Sequence, residues 1–161
     1  MSAREIVVDL RLQELTLLED GRVRCAFPVS SAANGPGEQM GSGCTPRGLH
    51  VARMLIGHGL PSGSVFVARR ATGEVYSDQL GLQYPGRDWM LSRIVWLQGC
   101  EPERNRFGDV DTLRRFIYIH GCPDTEPMGT PASRGCIRMR NDDIIALFDQ
   151  LAPGISVRIH E

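Results

Sequence analysis

The chain has 161 residues, a formal net charge of −1 and 42% hydrophobic against 23% charged residues. This balance is typical of a globular domain, and one domain of this length can bury a sizeable core. The near-neutral charge, without a basic block, gives nucleic-acid binding little electrostatic support. No apolar run approaches the length that spans a membrane. We therefore expect a single domain over residues 1–161, with no nucleic-acid partner and no membrane span.

The N-terminal segment and the cysteines both favour a cytoplasmic protein. Arg4, Glu5 and Asp9 interrupt the stretch where an export signal needs a continuous apolar run. The five cysteines form an odd set, without the spacing of a disulfide framework, and a reducing cytoplasm keeps such residues as thiols. If Met1 is the natural start, we expect the protein to remain in the cytoplasm.

The predicted elements are mostly β-strands, in keeping with 18 glycines and 10 prolines that indicate many turns. Asp20-Gly21, between two strand-like runs, predicts a hairpin. Residues 30–48, which are rich in glycine, predict a long loop of the kind that is often functional. Strands are expected at residues 6–10, 14–18, 23–29, 49–56, 64–68, 90–97, 116–120 and 155–159.

A helix is expected near the carboxyl end. Asn141 suits the N-cap, and Asp142 and Asp143 suit the first helical turn. The apolar residues between 144 and 151 follow helical spacing, and Pro153-Gly154 ends the helix. The sequence therefore predicts a mainly β fold with one short helix.

Residues 118–140 carry the candidate catalytic chemistry. They place His120 at a strand end, followed by a glycine- and proline-rich loop that returns to Cys136. A free cysteine has a pKa of about 8.5, so a neighbouring histidine is the usual route to thiolate near neutral pH. Gly135 permits a tight backbone whose amides can converge on an oxyanion. These residues predict a thiol nucleophile, Cys136, with His120 as its proton-transfer group.

Two arginines flank the candidate nucleophile. Arg134 and Arg138 bring positive charge, which favours thiolate and is suited to hold a substrate carboxylate. The more distant Cys25, Cys44 and Cys100 are interpreted as small hydrophobic residues without a chemical role.

A zinc site is the competing interpretation of the same segment. His120, Cys122 and Cys136 are all potential zinc ligands, but no fourth ligand and no paired ligand motif accompany them. A serine hydrolase is disfavoured because the Gly-x-Ser-x-Gly motif is absent. No metal and no other cofactor is expected for thiol chemistry, and a zinc-stabilised binding module stays open as the alternative.

The motifs together resemble the L,D-transpeptidase catalytic domain, also called the YkuD family. The family signature is a histidine, usually followed by glycine, and then, after a loop, Ser/Thr-x-Gly-Cys-x-Arg or Asn. Here it stands as His120-Gly121 and as residues 133–138, Ser-Arg-Gly-Cys-Ile-Arg. Thr45-Pro46-Arg47-Gly48 resembles the family's Thr-Pro-x-Gly. The resemblance implies a β-sandwich-like domain with a catalytic cleft and a short helix after the catalytic cysteine.

The resemblance also implies catalytic roles by position. Cys136 is the nucleophile, His120 the base and acid, and the carbonyl of Gly121 orients the imidazole in place of a triad carboxylate. The backbone amides of Arg134, Gly135 and Cys136 form the oxyanion hole.

The remaining signature residues are assigned to the substrate side of the site. Ser133 braces the loop, and Arg138 shapes the site or meets a carboxylate. Together with Arg134, these two residues are assigned to substrate binding. Two features depart from the family pattern. Arg134 stands where the family often has histidine. Cys122 is an extra thiol, interpreted as an inert loop residue, with a disulfide to Cys136 as the alternative.

The resemblance implies that the thiolate attacks a peptidoglycan tetrapeptide at an L,D bond, releases D-alanine and leaves a thioester. Water as the acceptor makes the enzyme a carboxypeptidase, and an amine makes it a transpeptidase. Because a bacterial cytoplasm offers soluble muropeptides rather than intact cell wall, we expect an L,D-carboxypeptidase of muropeptide recycling, acting on stem peptides or muropeptides. An L,D-transpeptidase and a non-catalytic or zinc-stabilised peptide-binding domain are the alternatives.

Overall fold

The computed structural model describes residues 3–161, and within them ten strands form one mixed sheet. No helix in these residues is long and apolar enough to cross a membrane. A 3-10 turn lies at Gly108–Val110. The strands and helices are β1 (Arg4–Asp9), β2 (Glu14–Glu19), β3 (Arg22–Pro28), β4 (Gly48–Ile56), β5 (Ser64–Val67), β6 (Arg70–Val75), α1 (Asp78–Gln83), β7 (Met90–Gly99), β8 (Tyr118–Gly121), β9 (Ile137–Met139), α2 (Asn141–Phe148) and β10 (Ser156–His160).

The first three strands form an antiparallel meander, and its second hairpin turns at Asp20-Gly21 as predicted. Asp20 and Gly21 both have positive φ, at 52° and 79°, which is the backbone of the tight turn that Asp-Gly favours. Ile6 pairs with Leu17 across β1 and β2, and both side chains are fully buried. The register therefore turns one face of this meander into the core.

The long strand β7 is where the sheet branches. The strand order is β3-β2-β1-β10-β4-β7-β5-β6, and β7 also pairs with β8, which pairs in parallel with β9. Apolar residues along β7 are fully buried, as a strand covered on both faces requires; they are Leu91, Ile94, Val95 and Leu97.

One hydrophobic cluster joins the two parts of the sheet. It contains Ile6 of β1 and Ile159 of β10 together with Ile119 of β8, Met139 of β9 and Leu147 of α2. Strands β1 and β10 thus share a core with the β8–β9 branch, because the sheet folds over on itself. The predicted sandwich-like, mainly β fold with a short helix after Cys136 is confirmed.

The start of α2 differs from the prediction. Arg140, with φ −63° and ψ 148°, occupies the N-cap and makes no side-chain capping bond, and Asn141 is the first helical residue. The Asn141 side chain is used elsewhere. It donates to the carbonyl of Cys122 at 3.0 Å and accepts from the hydroxyl of Ser92. The predicted N-cap role of Asn141 is therefore wrong, because the tertiary partners of its amide outcompete the cap.

Candidate active site

His120 is held by its own strand in one tautomer. It is fully buried on β8, and its Nδ1 lies 2.6 Å from the carbonyl oxygen of Gly121. A carbonyl only accepts, so Nδ1 carries the hydrogen and Nε2 has a free lone pair. Within residues 3–161, Nε2 has no hydrogen-bond partner. Burial lowers the pKa of His120 below its usual 6.5, more than the Gly121 bond raises it, so at neutral pH the imidazole is a neutral base.

Close packing fixes the Gly121 carbonyl. A Cβ at residue 121 would lie 2.6 Å from the Asn141 side-chain oxygen and 2.6 Å from the carbonyl oxygen of Leu91. Both distances are too short for any side chain, so this strand position requires glycine. Asn141 is in turn held by Ser92 and by the carbonyl of Cys122. The group that orients the imidazole is therefore itself held on several sides.

The sheet register places Cys136 beside His120. Strands β8 and β9 are parallel, with Ile119 opposite Ile137 and His120 opposite Arg138. One residue before β9, the sulfur of Cys136 accepts the N–H of Tyr118 at 3.3 Å. Since alternate residues share a face, Cys136 and His120 present their side chains on one face of neighbouring strands.

Cys136 rests as a thiol rather than a thiolate. Its sulfur also lies 3.4 Å from the Phe116 carbonyl, to which the S–H donates, and it packs with Phe66 and Ile94. Burial raises the pKa of Cys136 to about 12, more than the Tyr118 N–H and the positive charges of Arg138 and Arg115 lower it. The flanking Arg138 thus favours thiolate in the predicted direction, but desolvation outweighs its charge.

This raised pKa predicts the pH dependence of Cys136 alkylation. With a pKa of about 12, the thiolate fraction at pH 7 is on the order of 10⁻⁵. We expect labelling by iodoacetamide, followed by mass spectrometry of the peptide containing Cys136, to rise about tenfold per pH unit from pH 7 to 10. A plateau near neutral pH would instead indicate a preformed thiolate–imidazolium pair.

Ser133 and Thr45 brace the backbone around the nucleophile. The Ser133 hydroxyl donates to the carbonyl of Cys136 and accepts the N–H of Gly135 at 3.2 Å. Thr45 donates to the carbonyl of Gly135 at 2.8 Å and accepts the N–H of Ala32 at 3.0 Å. Gly135 has φ 136°, a backbone conformation that favours glycine. Two polar side chains therefore hold both peptide groups of Gly135.

These bonds bear on two sequence predictions. Ser133 is 4% exposed and its hydroxyl is used within the loop, in keeping with the predicted bracing role, while its part in substrate binding stays a prediction. The N–H of Gly135 is likewise occupied by Ser133. Of the three amides assigned to the oxyanion hole, those of Arg134 and Cys136 are left without a partner among residues 3–161.

Both predicted arginines are bonded to other groups of the chain. Arg138 is 7% exposed and pairs with Asp88 at 3.0 Å and with Glu126 at 3.2 Å. The exposed Arg134 donates to the carbonyl of Gly86 at 2.7 Å. The ion pairs of Arg138 fit a role in shaping the site, and the assignment of both arginines to substrate binding stays a prediction. The Arg138 guanidinium joins the two loops that carry the acids, while Arg134 ties the catalytic loop to residue 86.

Arg115 is a site residue that the sequence reasoning missed. Its guanidinium has no acidic partner among the described residues and donates to the carbonyl of Cys44 at 2.6 Å and to that of Gly37 at 3.3 Å. Burial lowers the pKa of Arg115. Arg115 anchors the 30–48 loop beside Cys136, and no local sequence signal marks a contact across more than 70 residues.

A cleft of about 540 Å³ opens beside the nucleophile. Phe116 and Tyr118, whose backbone groups contact the Cys136 sulfur, line it, as does Asp88, the partner of Arg138. The wall formed by the β5–β6 hairpin contributes Arg69. The cleft therefore offers a substrate room against the two residues that hold the thiol.

The zinc and disulfide alternatives lack the required geometry. Within the described part of the chain, no three His, Cys, Asp or Glu side chains are arranged to hold a metal ion. Cys122 and Cys136 are both free. The N–H of Cys122 bonds the carbonyl of Met139, which places Cys122 about four residues, or ~13 Å, further along the sheet than Cys136. A disulfide needs Cα atoms within about 7 Å.

Comparison with known proteins agrees with this geometry. Residues 3–159 match the model of YkuD, the L,D-transpeptidase catalytic domain. The chain therefore belongs to the L,D-transpeptidase catalytic domain family, and the resemblance found in the sequence is confirmed.

Individual relatives match over different lengths. The probable L,D-transpeptidases ErfK/SrfK of Salmonella typhimurium and Escherichia coli are each 45% identical over 47 residues, which is 29% of this chain and 15% of theirs. Solved L,D-transpeptidases from Mycobacterium smegmatis and Xylanimonas cellulosilytica share the fold, with TM-scores of 0.62 and 0.58 at 18% and 22% identity. They are matched over 99% of this chain and over 59% and 61% of their own.

Proposed function

We propose that the protein is a cysteine-dependent L,D-carboxypeptidase that removes the terminal D-alanine from peptidoglycan tetrapeptides. Its family acts on peptidoglycan peptides. One observation carries the chemistry: the buried, unpartnered Nε2 of His120 lies on the same sheet face as the Cys136 thiol, beside an open cleft. A base, a nucleophile and room for a substrate are the parts that acyl transfer requires.

Acylation uses the neutral imidazole as a base. Nε2 of His120 takes the Sγ proton while the sulfur of Cys136 bonds to the carbonyl carbon of the scissile peptide. The unpartnered amides of Arg134 and Cys136 are suited to stabilise the resulting oxyanion. The carbon–nitrogen bond then breaks, and the imidazolium donates its proton to the amine of the departing D-alanine. The Gly121 carbonyl stabilises the transient imidazolium through Nδ1.

Hydrolysis of the thioester repeats the same proton transfers. His120 takes a proton from a water molecule while the water oxygen attacks the thioester carbonyl. The carbon–sulfur bond then breaks, and His120 returns the proton to the Cys136 sulfur. The products are the free tripeptide acid and the resting thiol. The cleft of about 540 Å³ suits one small peptide, and water needs little further room.

A transpeptidase is the second candidate. The solved proteins that share the fold are described as L,D-transpeptidases, which favours an amine acceptor in place of water. The acylation step and its residues are the same in both reactions. Only the fate of the thioester separates them.

Mass spectrometry in ¹⁸O-labelled water separates these fates. With a disaccharide tetrapeptide as the only substrate, a carboxypeptidase releases D-alanine and places one ¹⁸O in the tripeptide product. Added D-amino acids should change the products little. Efficient exchange of D-alanine for the added amino acid, with little ¹⁸O uptake, would assign transpeptidation instead. Cys136→Ala protein is the control for non-enzymatic release.

We also propose that the protein acts in the cytoplasm on recycled muropeptides. The five cysteines are free thiols, the state that a reducing compartment maintains. Deletion of the gene should cause tetrapeptide-containing muropeptides to accumulate in the cytosolic fraction, with little loss of wall cross-links. Recovery of the protein in a periplasmic fraction would contradict this location.

A further inference from the structure

Arg69 lies in a three-residue aromatic cage at the catalytic cleft. Its guanidinium carbon is 4.6 Å from the Trp96 ring centre and 4.9 Å from that of Phe116, and Nη1 donates to the Tyr118 hydroxyl at 2.9 Å. Phe116 and Tyr118 are also the residues whose backbone groups hold the Cys136 sulfur. The cage therefore fixes a cation against the two residues that hold the nucleophile.

The turn that presents Arg69 is strained. Ala68 and Arg69 connect β5 to β6, and their φ angles are 49° and 65°. Such a two-residue turn favours Asn-Gly or another glycine pair, because other residues adopt positive φ at a cost. Strain of this kind persists where the surrounding structure enforces it, often at functional sites.

A second arginine faces the same cleft in the same manner. The guanidinium carbon of Arg87 lies 4.5 Å from the Trp89 ring centre and 5.3 Å from that of Tyr84. Arg69 and Arg87 both line the cleft, and within residues 3–161 neither forms an ion pair, whereas Arg138 forms two. Stacking orders an arginine without using its in-plane N–H groups. Arg69 donates from Nη1 to Tyr118, and the guanidinium has further in-plane N–H groups suited to bind a carboxylate.

We propose that Arg69 and Arg87 form a subsite for the free carboxylates of the peptide substrate. This inference rests on the proposed function, because it assigns specificity to the same cleft. Arg69 and Arg87 then perform the recognition that the sequence assigned to Arg134 and Arg138. Such a peptide carries free carboxylates at its C-terminus and on the side groups of its amino acids. Both kinds of carboxylate have the same charge and two oxygens for bidentate binding.

The two tryptophans of the chain allow each arginine to be observed separately. Trp96 contacts Arg69 and Trp89 contacts Arg87. Trp89→Phe therefore leaves Trp96 as the fluorescent reporter on Arg69, and Trp96→Phe leaves Trp89 as the reporter on Arg87. Binding is measured in Cys136→Ala protein, which does not turn the peptide over. The probes are a synthetic tetrapeptide, its C-terminal carboxamide, and versions in which each side carboxylate is amidated.

We expect amidation of the recognised carboxylate to weaken binding at least about tenfold, and Arg69→Gln and Arg87→Gln to weaken binding of the acid to a similar degree. In these variants the difference between acid and amide should shrink. Affinity should also fall with ionic strength. Which amidated probe loses affinity identifies the terminal or the side carboxylate. Arg70→Gln, at the exposed next residue, is the matched control and should bind within about twofold of the parent.

Equal affinity for acids and amides, or arginine variants that bind like Arg70→Gln, would overturn the proposal. Absence of binding of any tetrapeptide at millimolar concentration would overturn it together with the proposed function. Carboxylate-selective binding without release of D-alanine by the wild-type protein would support the subsite while contradicting the carboxypeptidase.

Discussion

Replacement of Cys136 by alanine is expected to lower kcat by at least about 10⁴-fold, to the rate of the control reaction without enzyme. The sulfur is the atom that forms the thioester, and no other side chain can replace it in the covalent step. The measurement is D-alanine release from a tetrapeptide, together with intact-protein mass spectrometry for the acyl-enzyme, which should be absent.

Stability must be separated from chemistry in this variant, because the Cys136 sulfur also accepts the buried Tyr118 N–H. Alanine leaves that donor without a partner, at a cost of about 1–3 kcal/mol. Cys136→Ser keeps an acceptor there and should fold more stably, yet remain nearly inactive. Cys122→Ala removes another buried thiol whose pKa is raised to about 12, and it should retain turnover. Substantial activity in Cys136→Ala would refute the thioester mechanism.

Much of the fold could be predicted from local sequence signals. The Asp20-Gly21 turn, the alternation along β1 and β2 and the apolar runs of β7 and β8 are found close to their expected bounds. These signals are strong because one face of each strand, or both, must be buried for the sheet to be stable.

The elements that the sequence did not predict have weak local patterns. Every residue of β6 is exposed, so the strand has no apolar alternation and is defined by its pairing with β5. Helix α1 has only six residues and none of them is buried, and β9 has three residues. Such segments take their structure from neighbours that are distant in sequence.

In the candidate site, too, the sequence predicted the residues of a local motif but not their distant partners. His120 and Cys136 stand in a recognisable motif, but the partners that shape their chemistry lie far away in the chain. Thr45 reaches Gly135, and Asp88 reaches Arg138. Because ion pairing between distant residues is invisible in the sequence, Arg138 was expected to be free for a substrate carboxylate, and the burial that keeps Cys136 protonated was not anticipated.

Replacement of His120 by asparagine is expected to remove the general base while keeping its anchor. The asparagine side-chain amide can still donate to the Gly121 carbonyl, but it offers no basic nitrogen in place of Nε2. One general acid–base step contributes ~10²–10⁴-fold, and His120 serves both half-reactions, so we expect kcat/KM to fall by at least about 10⁴-fold. The measurement is kcat/KM from pH 4 to 9, in the wild type and in the variant.

The position of the acid limb in the pH profile tests the role of His120 as the base more specifically than the size of the loss in kcat/KM does. Since the pKa of His120 is lowered from 6.5 by burial, the wild type should stay active as pH falls through 6.5 and lose activity only below it. That acid limb should vanish in His120→Asn, whose residual rate has no imidazole to protonate. A wild-type limb at or above pH 6.5, or an unchanged limb in the variant, would assign the titration to another group.

His50→Asn is the matched control for this experiment. His50 is also fully buried and its Nδ1 also bonds a backbone carbonyl, that of Gly48, at 3.0 Å. Its Nε2, however, is bonded to the Thr112 hydroxyl at 3.0 Å, and burial lowers the pKa of His50 to about 4. The two histidines therefore differ chiefly in whether Nε2 is free. If that free nitrogen makes His120 the base, His50→Asn should lower the melting temperature but leave kcat/KM within a few-fold of wild type.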